Sequence, residues 1–185
     1  MLMGEGPAER SYAKIEAEDL ERLAQIAGED VAEFFNRHER WCTLFEARII
    51  CVALCQGAAL HYCDGKNGVK DFGLWTFFAA IPGVRYFPAK RRARRDFGAS
   101  KFGRHPSDRG YAGRRVDFLL RDIPCEDLSK PIETLHAYLE GGRTESAKRL
   151  GEKAVVMLQP ETVRGSLIWL KGKKAEPLSS SSTPP

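Results

Sequence analysis

The chain predicts a mixed α/β (α+β) domain, a small mixed sheet flanked by N- and C-terminal helices. Three observations carry this. Apolar residues recur at helical spacing near the start, at Leu20, Leu23, Ala24 and Ala27. Runs rich in β-branched and aromatic residues follow at 47–55 and 69–78. Helical patterns then return from Pro131 onward. The order is helices, a β-α-β unit, a basic insertion, a further strand and more helices, which suits a small sheet with helices packed on it.

Each element follows from its own signals. Gly28 marks an end for the first helix. A second helix starts near Glu29, with Val31, Phe34 and Phe35 on one face and His38 and Trp41 a turn further on. Residues 47–55 read as a buried strand, with a helix the other reading of so short a run. Gln56-Gly57 turns the chain into a short helix, and Asp64-Gly-Lys-Asn-Gly68 is a strong turn. Residues 69–78 read as an aromatic-rich strand. In 114–123, Val116, Phe118 and Leu120 alternate with Asp117 and Leu119, again a strand. Residues 131–139, 145–158 and 161–170 read as helices. The first 17 residues read as a flexible N-terminus, 18–172 as one domain, and 173–185 as a disordered Lys/Ser/Pro tail.

Composition bounds the function classes. With 185 residues, 43% hydrophobic and 29% charged, the chain is long enough for a sizeable core. It holds no apolar run of about 18 residues and no secretory h-region near its start, so no membrane partner and a cytoplasmic location are expected. Cys42, Cys51, Cys55, Cys63 and Cys125 read as reduced thiols. The alternative is a metal cluster of Cys51, Cys55, His61 and Cys63, whose spacing is irregular for zinc.

Two acids stand within otherwise apolar strands: Asp71 in Gly68-Val-Lys-Asp-Phe-Gly-Leu-Trp75 and Asp117 in Arg114-Arg-Val-Asp-Phe-Leu-Leu120. A carboxylate there is costly unless a cation or hydrogen bonds compensate it. Carboxylates on one strand face can hold Mg²⁺ for phosphoryl chemistry. Upstream, Gly57 in Cys55-Gln-Gly-Ala-Ala-Leu-His61 opens a helix, where backbone N–H groups receive phosphate.

These three phrases, in this order, resemble the nucleotidyltransferase superfamily with its polymerase-beta-like fold, over about residues 49–123. The resemblance implies transfer of a nucleoside monophosphate from an NTP to a hydroxyl acceptor with Mg²⁺. It makes Gly57 the phosphate-turn glycine, and Asp71 and Asp117 the catalytic, metal-binding carboxylates. Two positions depart from the pattern. Gln56 stands where the family has glycine, and Gly73 stands where a second strand carboxylate belongs. Three readings stay open: a catalytically dead binder, a one-metal enzyme, or an active lineage with a variant site. Asp71 beside Lys70 and Asp117 after Arg114-Arg115 also read as ordinary ion-paired strand residues.

Charge is concentrated. Residues 85–115 hold eleven Lys and Arg against Asp96 and Asp108, a net of +9, while the remainder carries −5. The centre is Lys90-Arg-Arg-Ala-Arg-Arg95, near Tyr86, Phe87, Phe97, Phe102 and Tyr111. Arg91, Arg92, Arg94 and Arg95 are therefore candidate contacts for a triphosphate or another polyanion, including nucleic acid. This gives the alternative function of a non-catalytic nucleic-acid- or partner-binding module. The other reading is an Arg-rich helix over 88–97 that pairs with acids of the same chain.

Overall fold

The computed structural model describes residues 8–84 and 93–173. Its elements are α1 (Ala17–Arg37), α2 (Glu39–Phe45), β1 (Ile49–Cys55), α3 (Gln56–Asp64), β2 (Phe72–Ala79), β3 (Ala93–Asp96), β4 (Arg115–Ile123), α4 (Pro131–Gly141), α5 (Glu145–Gly151), β5 (Ala154–Gln159) and β6 (Leu167–Leu170). The chain is mixed α/β, with one six-stranded sheet in the order β3-β4-β2-β1-β5-β6 among the described residues. β2 and β4 run parallel, and every other neighbouring pair is antiparallel.

Gly28 does not end a helix: α1 is continuous over 21 residues. A mid-helix glycine costs about 1 kcal/mol. Leu20, Leu23, Ala27, Val31, Phe34 and Phe35 are all buried along that helix. Each large apolar side chain among them contributes about 1.5–3 kcal/mol, which outweighs the glycine. α1 starts with a capping box, in which the Glu16 backbone N–H donates to the Asp19 carboxylate at 2.8 Å.

The C-terminal third differs most from expectation. Of the helix expected over 145–158, only α5 forms, and Ala154–Gln159 is a strand. Of the helix expected over 161–170, a 3₁₀ turn at Glu161–Val163 and the strand Leu167–Leu170 form instead, hinged at Gly165 with φ +83°. Short apolar runs fit either period. Here the open side of β1 decides: β5 pairs with it and buries Ala154 to Leu158 completely.

Strand alternation sorts side chains into two layers. Val52, Leu54, Phe72, Leu74, Val116 and Phe118 meet Leu20, Leu23 and Ala27 of α1 and Ala58 and Ala59 of α3. Cys51, Ala53, Trp75 and Phe77 meet Leu135 and Leu139 of α4 and Leu150 of α5 on the opposite face. The N-terminal segment is joined to this body from residue 8. Ser11 bridges Val69, and the Ala8 and Glu9 carbonyls accept from Arg114.

Candidate functional site

β1 passes into α3 through Gln56, whose φ of +65° is left-handed. Glycine adopts that conformation freely, whereas a side chain costs about 1–2 kcal/mol. Gln56 is held there by its Nε2–H donating to the Arg149 carbonyl at 2.8 Å. Gly57 follows, and the opening turn of α3 forms one wall of a cleft of about 310 Å³. Arg10, Lys70, Arg149 and Lys153 also line it. A Cβ on Gly57 would lie 3.9 Å from Lys153 Nζ, so that ammonium stands at the N-terminal end of α3. Lys70, Arg149 and Lys153 are exposed and form no ion pair among the described residues. Helix N-terminal amides and free ammonium and guanidinium groups together attract anions. Trp75 and Leu119 supply apolar wall.

The two acids singled out in the sequence line the same cleft. Gly73 and Asp117 are register partners on the parallel β2 and β4. Residues two apart on a strand share a face, so Asp71, Gly73 and Trp75 line up beside Arg115, Asp117 and Leu119. That alternation aims Arg115 at the acids. Its Nη2–H donates to Asp71 Oδ2 at 2.9 Å, and its Nε lies 3.0 Å from Asp117 Oδ1 and 3.1 Å from Oδ2. Its Nη1 reaches Asp108 Oδ1 at 3.3 Å. Burial disfavours the Arg115 charge, but Asp117, Asp71 and Asp108 together outweigh it and hold the guanidinium above its ordinary pKa. Burial pushes the Asp117 carboxyl up, with Asp71 adding to the rise and Arg115 opposing it. A half-buried acid displaced in this way, in a cleft, marks a functional-site candidate.

The structure thus brings Gln56, Gly57, Asp71 and Asp117 to one cleft. No group of three His, Cys, Asp or Glu residues is disposed to hold a metal ion among the described residues. Gly73 has space, since a Cβ there would meet only the Cys55 carbonyl at 3.7 Å, but it supplies no ligand atom. In the alternative metal cluster, both His61 nitrogens are engaged: Nδ1 accepts from the Gly68 N–H at 3.0 Å, and Nε2 meets the Ala13 carbonyl at 3.0 Å. Cys51 and Cys55 are buried in the other layer, and burial pushes both thiols up.

The basic segment is a strand where it is described, not a helix. Ala93–Asp96 forms the sheet edge on β4. Arg94 lies on the cleft face and pairs with Asp117 at 3.3 Å. Arg95 points to the other layer and pairs with Glu33 and Asp30 of α1. Lys101 pairs with Glu16 and Asp19. These charges meet acids of the same chain. Arg91 and Arg92 lie outside the described residues.

Asp96 closes the loop behind this edge. Its carboxylate accepts from the N–H groups of Gly98 at 2.9 Å, Ala112 at 2.5 Å and Gly113 at 2.9 Å. Burial raises its pKa, and these three donors outweigh that and hold it below the usual carboxylate range. A depressed folded-state pKa adds stability above the unfolded pKa of about 3.9, and that stability is lost as pH falls through the folded value. Asp96→Asn is therefore expected to be about 2 kcal/mol less stable at pH 7, from the loss of charge-assisted bonds. The gap should narrow on acidification below about pH 4. Urea titrations at stepped pH check this, and a gap independent of pH would refute it.

The sequence did not single out Lys153 and Arg149, which line the cleft, or Arg115, which pairs with the cleft acids Asp71 and Asp117. The available signal for Arg115 was its two-residue offset from Asp117. Lys153 was hidden because 145–158 read as one helix. Compared with family models, curated proteins and solved structures, the chain matches none.

Proposed function

We propose that the chain is a nucleotidyltransferase-like protein that binds the phosphates of a nucleotide in this cleft without transferring them. The observation that carries the reading is the arrangement of the β1-α3-β2 unit. It brings Gly57, at the opening turn of α3, and Asp71 to one cleft, which Lys153 before β5 and Asp117 of β4 also line. The left-handed Gln56 supports it too: it stands where the resemblance expects glycine, and its positive φ is one that glycine adopts freely. The cleft volume falls within the range of small-ligand sites. Trp75 and Leu119 offer the base an apolar wall. The resemblance implies Mg²⁺ on Asp71 and Asp117, but the residues present do not fit that ion as arranged. Both carboxylates are spent on Arg115, and position 73 has no third. We assign no transfer step to the site.

Calorimetric titration with ATP and with inorganic triphosphate, in EDTA, tests the proposal. Binding of both is expected, weakened about tenfold by Lys153→Ala, the loss of one charge-assisted contact. Absence of binding would remove the reading. Release of pyrophosphate from labelled ATP with Mg²⁺, abolished by Asp117→Asn, would show that transfer is retained.

A further inference from the structure

We propose that Arg115 is the resident cation of the acids beside the cleft: its guanidinium stands among Asp71, Asp108 and Asp117 as a built-in replacement for a divalent ion. The inference deepens the proposed reading of the same site, and rests on it only for the location of the cleft.

Three observations carry it. First, the guanidinium engages all three acids with different nitrogens: Asp71 at 2.9 Å, Asp117 at 3.0 Å and Asp108 at 3.3 Å. The acids come from separate places in the chain, the lead into β2, the strand β4 and the loop before β4, so local sequence does not bring them together. Second, the site is partly withdrawn from water. Arg115 is 20% exposed and Asp108 10%. Acids crowded at such a place repel one another unless a cation lies between them. The guanidinium plane presents donors in a fixed fork, so one side chain can satisfy several carboxylates at once. Third, Gly73 faces Asp117 across the register and adds no oxygen. A divalent ion prefers about six oxygen ligands, and an arginine needs no such shell. The site is therefore complete without a metal, and its net charge, three carboxylates against Arg115 with Arg94 at the rim, stays close to that of a metal-filled cage.

This assigns the acids a structural role, holding the Arg115 guanidinium behind the two carboxylates, Asp71 and Asp117, that line the cleft. It also predicts that, once the guanidinium is removed, the three carboxylates can close on a metal that they are not disposed to hold while they surround Arg115. The test is thermal melting and calorimetric titration with MnCl₂, in the absence of nucleotide, on the full chain. Wild-type protein is expected to bind no Mn²⁺ at millimolar concentration and to show no shift in melting temperature. Arg115→Ala is expected to melt lower than wild type and to recover at least half of the loss in millimolar Mn²⁺. Arg115→Gln serves as the second variant, neutral but still able to fill space and donate a hydrogen bond, should the alanine variant fail to fold. Adding Asp71→Asn and Asp117→Asn to either should abolish the Mn²⁺ response. Mn²⁺ binding by wild-type protein that Asp117→Asn removes would overturn the inference. So would folded Arg115 variants that ignore Mn²⁺. Neither outcome bears on binding of triphosphate in EDTA, so the two proposals fail separately.

Discussion

Arg114→Met is expected to lose about 3–4 kcal/mol of stability, because it takes the donor from four backbone carbonyls at once, the Phe102 bond fully buried and the others partly. Arg114 is fully buried, yet no carboxylate lies within ion-pair distance of it among the described residues. Its guanidinium is spent on backbone. Nε–H donates to the Phe102 carbonyl at 2.9 Å, Nη1–H to Glu9 at 3.0 Å and Lys70 at 3.4 Å, and Nη2–H to Ala8 at 2.8 Å. Burial lowers its pKa, with Asp108 and Asp71 opposing that. Removing the side chain leaves these acceptors without a donor, at about 1–3 kcal/mol for each that stays buried. Those at Ala8 and Glu9 regain water, which sets the estimate below the full sum. Arg114→Lys is expected to fall within about 1 kcal/mol of Arg114→Met, since one ammonium lacks the planar fork. Urea denaturation measures both, and a loss under about 1 kcal/mol for Met would show that the carbonyls are satisfied by other means.

The second large effect is steric. Gly113→Ala is expected to cost more than about 4 kcal/mol, or to prevent folding. A Cβ at Gly113 would lie 1.8 Å from the Gly98 carbonyl oxygen and 2.6 Å from its carbon. Those atoms are backbone, and Gly98 itself sits at φ +94°, so neither side can yield cheaply. The two glycines pass closely because Asp96 draws both N–H groups to one carboxylate. Gly110→Ala is the internal control. Nothing lies within 4 Å of its added Cβ, and a change within about 0.5 kcal/mol is expected. Comparing soluble yield and melting by circular dichroism distinguishes the two, and equal behaviour would contradict the close approach.

Three of the six strands were legible because their own runs declare them. β1, β2 and β4 carry aromatic or β-branched runs bounded by turns, and α3 follows a glycine turn. The acids at 71 and 117 stood out because carboxylates are rare on such strands. What the sequence hid was long-range. The β5 segment Ala-Val-Val-Met-Leu fits a helix or a strand equally, and only the vacant side of β1 chooses. Arg115 read as one charge in a dense basic run. Its role depends on Asp71, 44 residues away, lying next to it across a parallel pair. The charges of the run read as a surface for polyanions because their partners, Asp30, Glu33 and Glu16, lie far off in the chain, on or just before α1.

The position of Arg114 has a further consequence, in time rather than in space. Its bonds to the Ala8 and Glu9 carbonyls join residues 106 and 105 apart. The central strand β1 likewise gains one neighbour, β2, early and the other, β5, only after residue 154 exists. Closing such long loops costs entropy before any contact repays it. On a growing chain, Ala8 and Glu9 therefore wait for residue 114 before these bonds can form. Until then, the N-terminal segment and one edge of β1 wait uncovered, and a holding chaperone would meet them there.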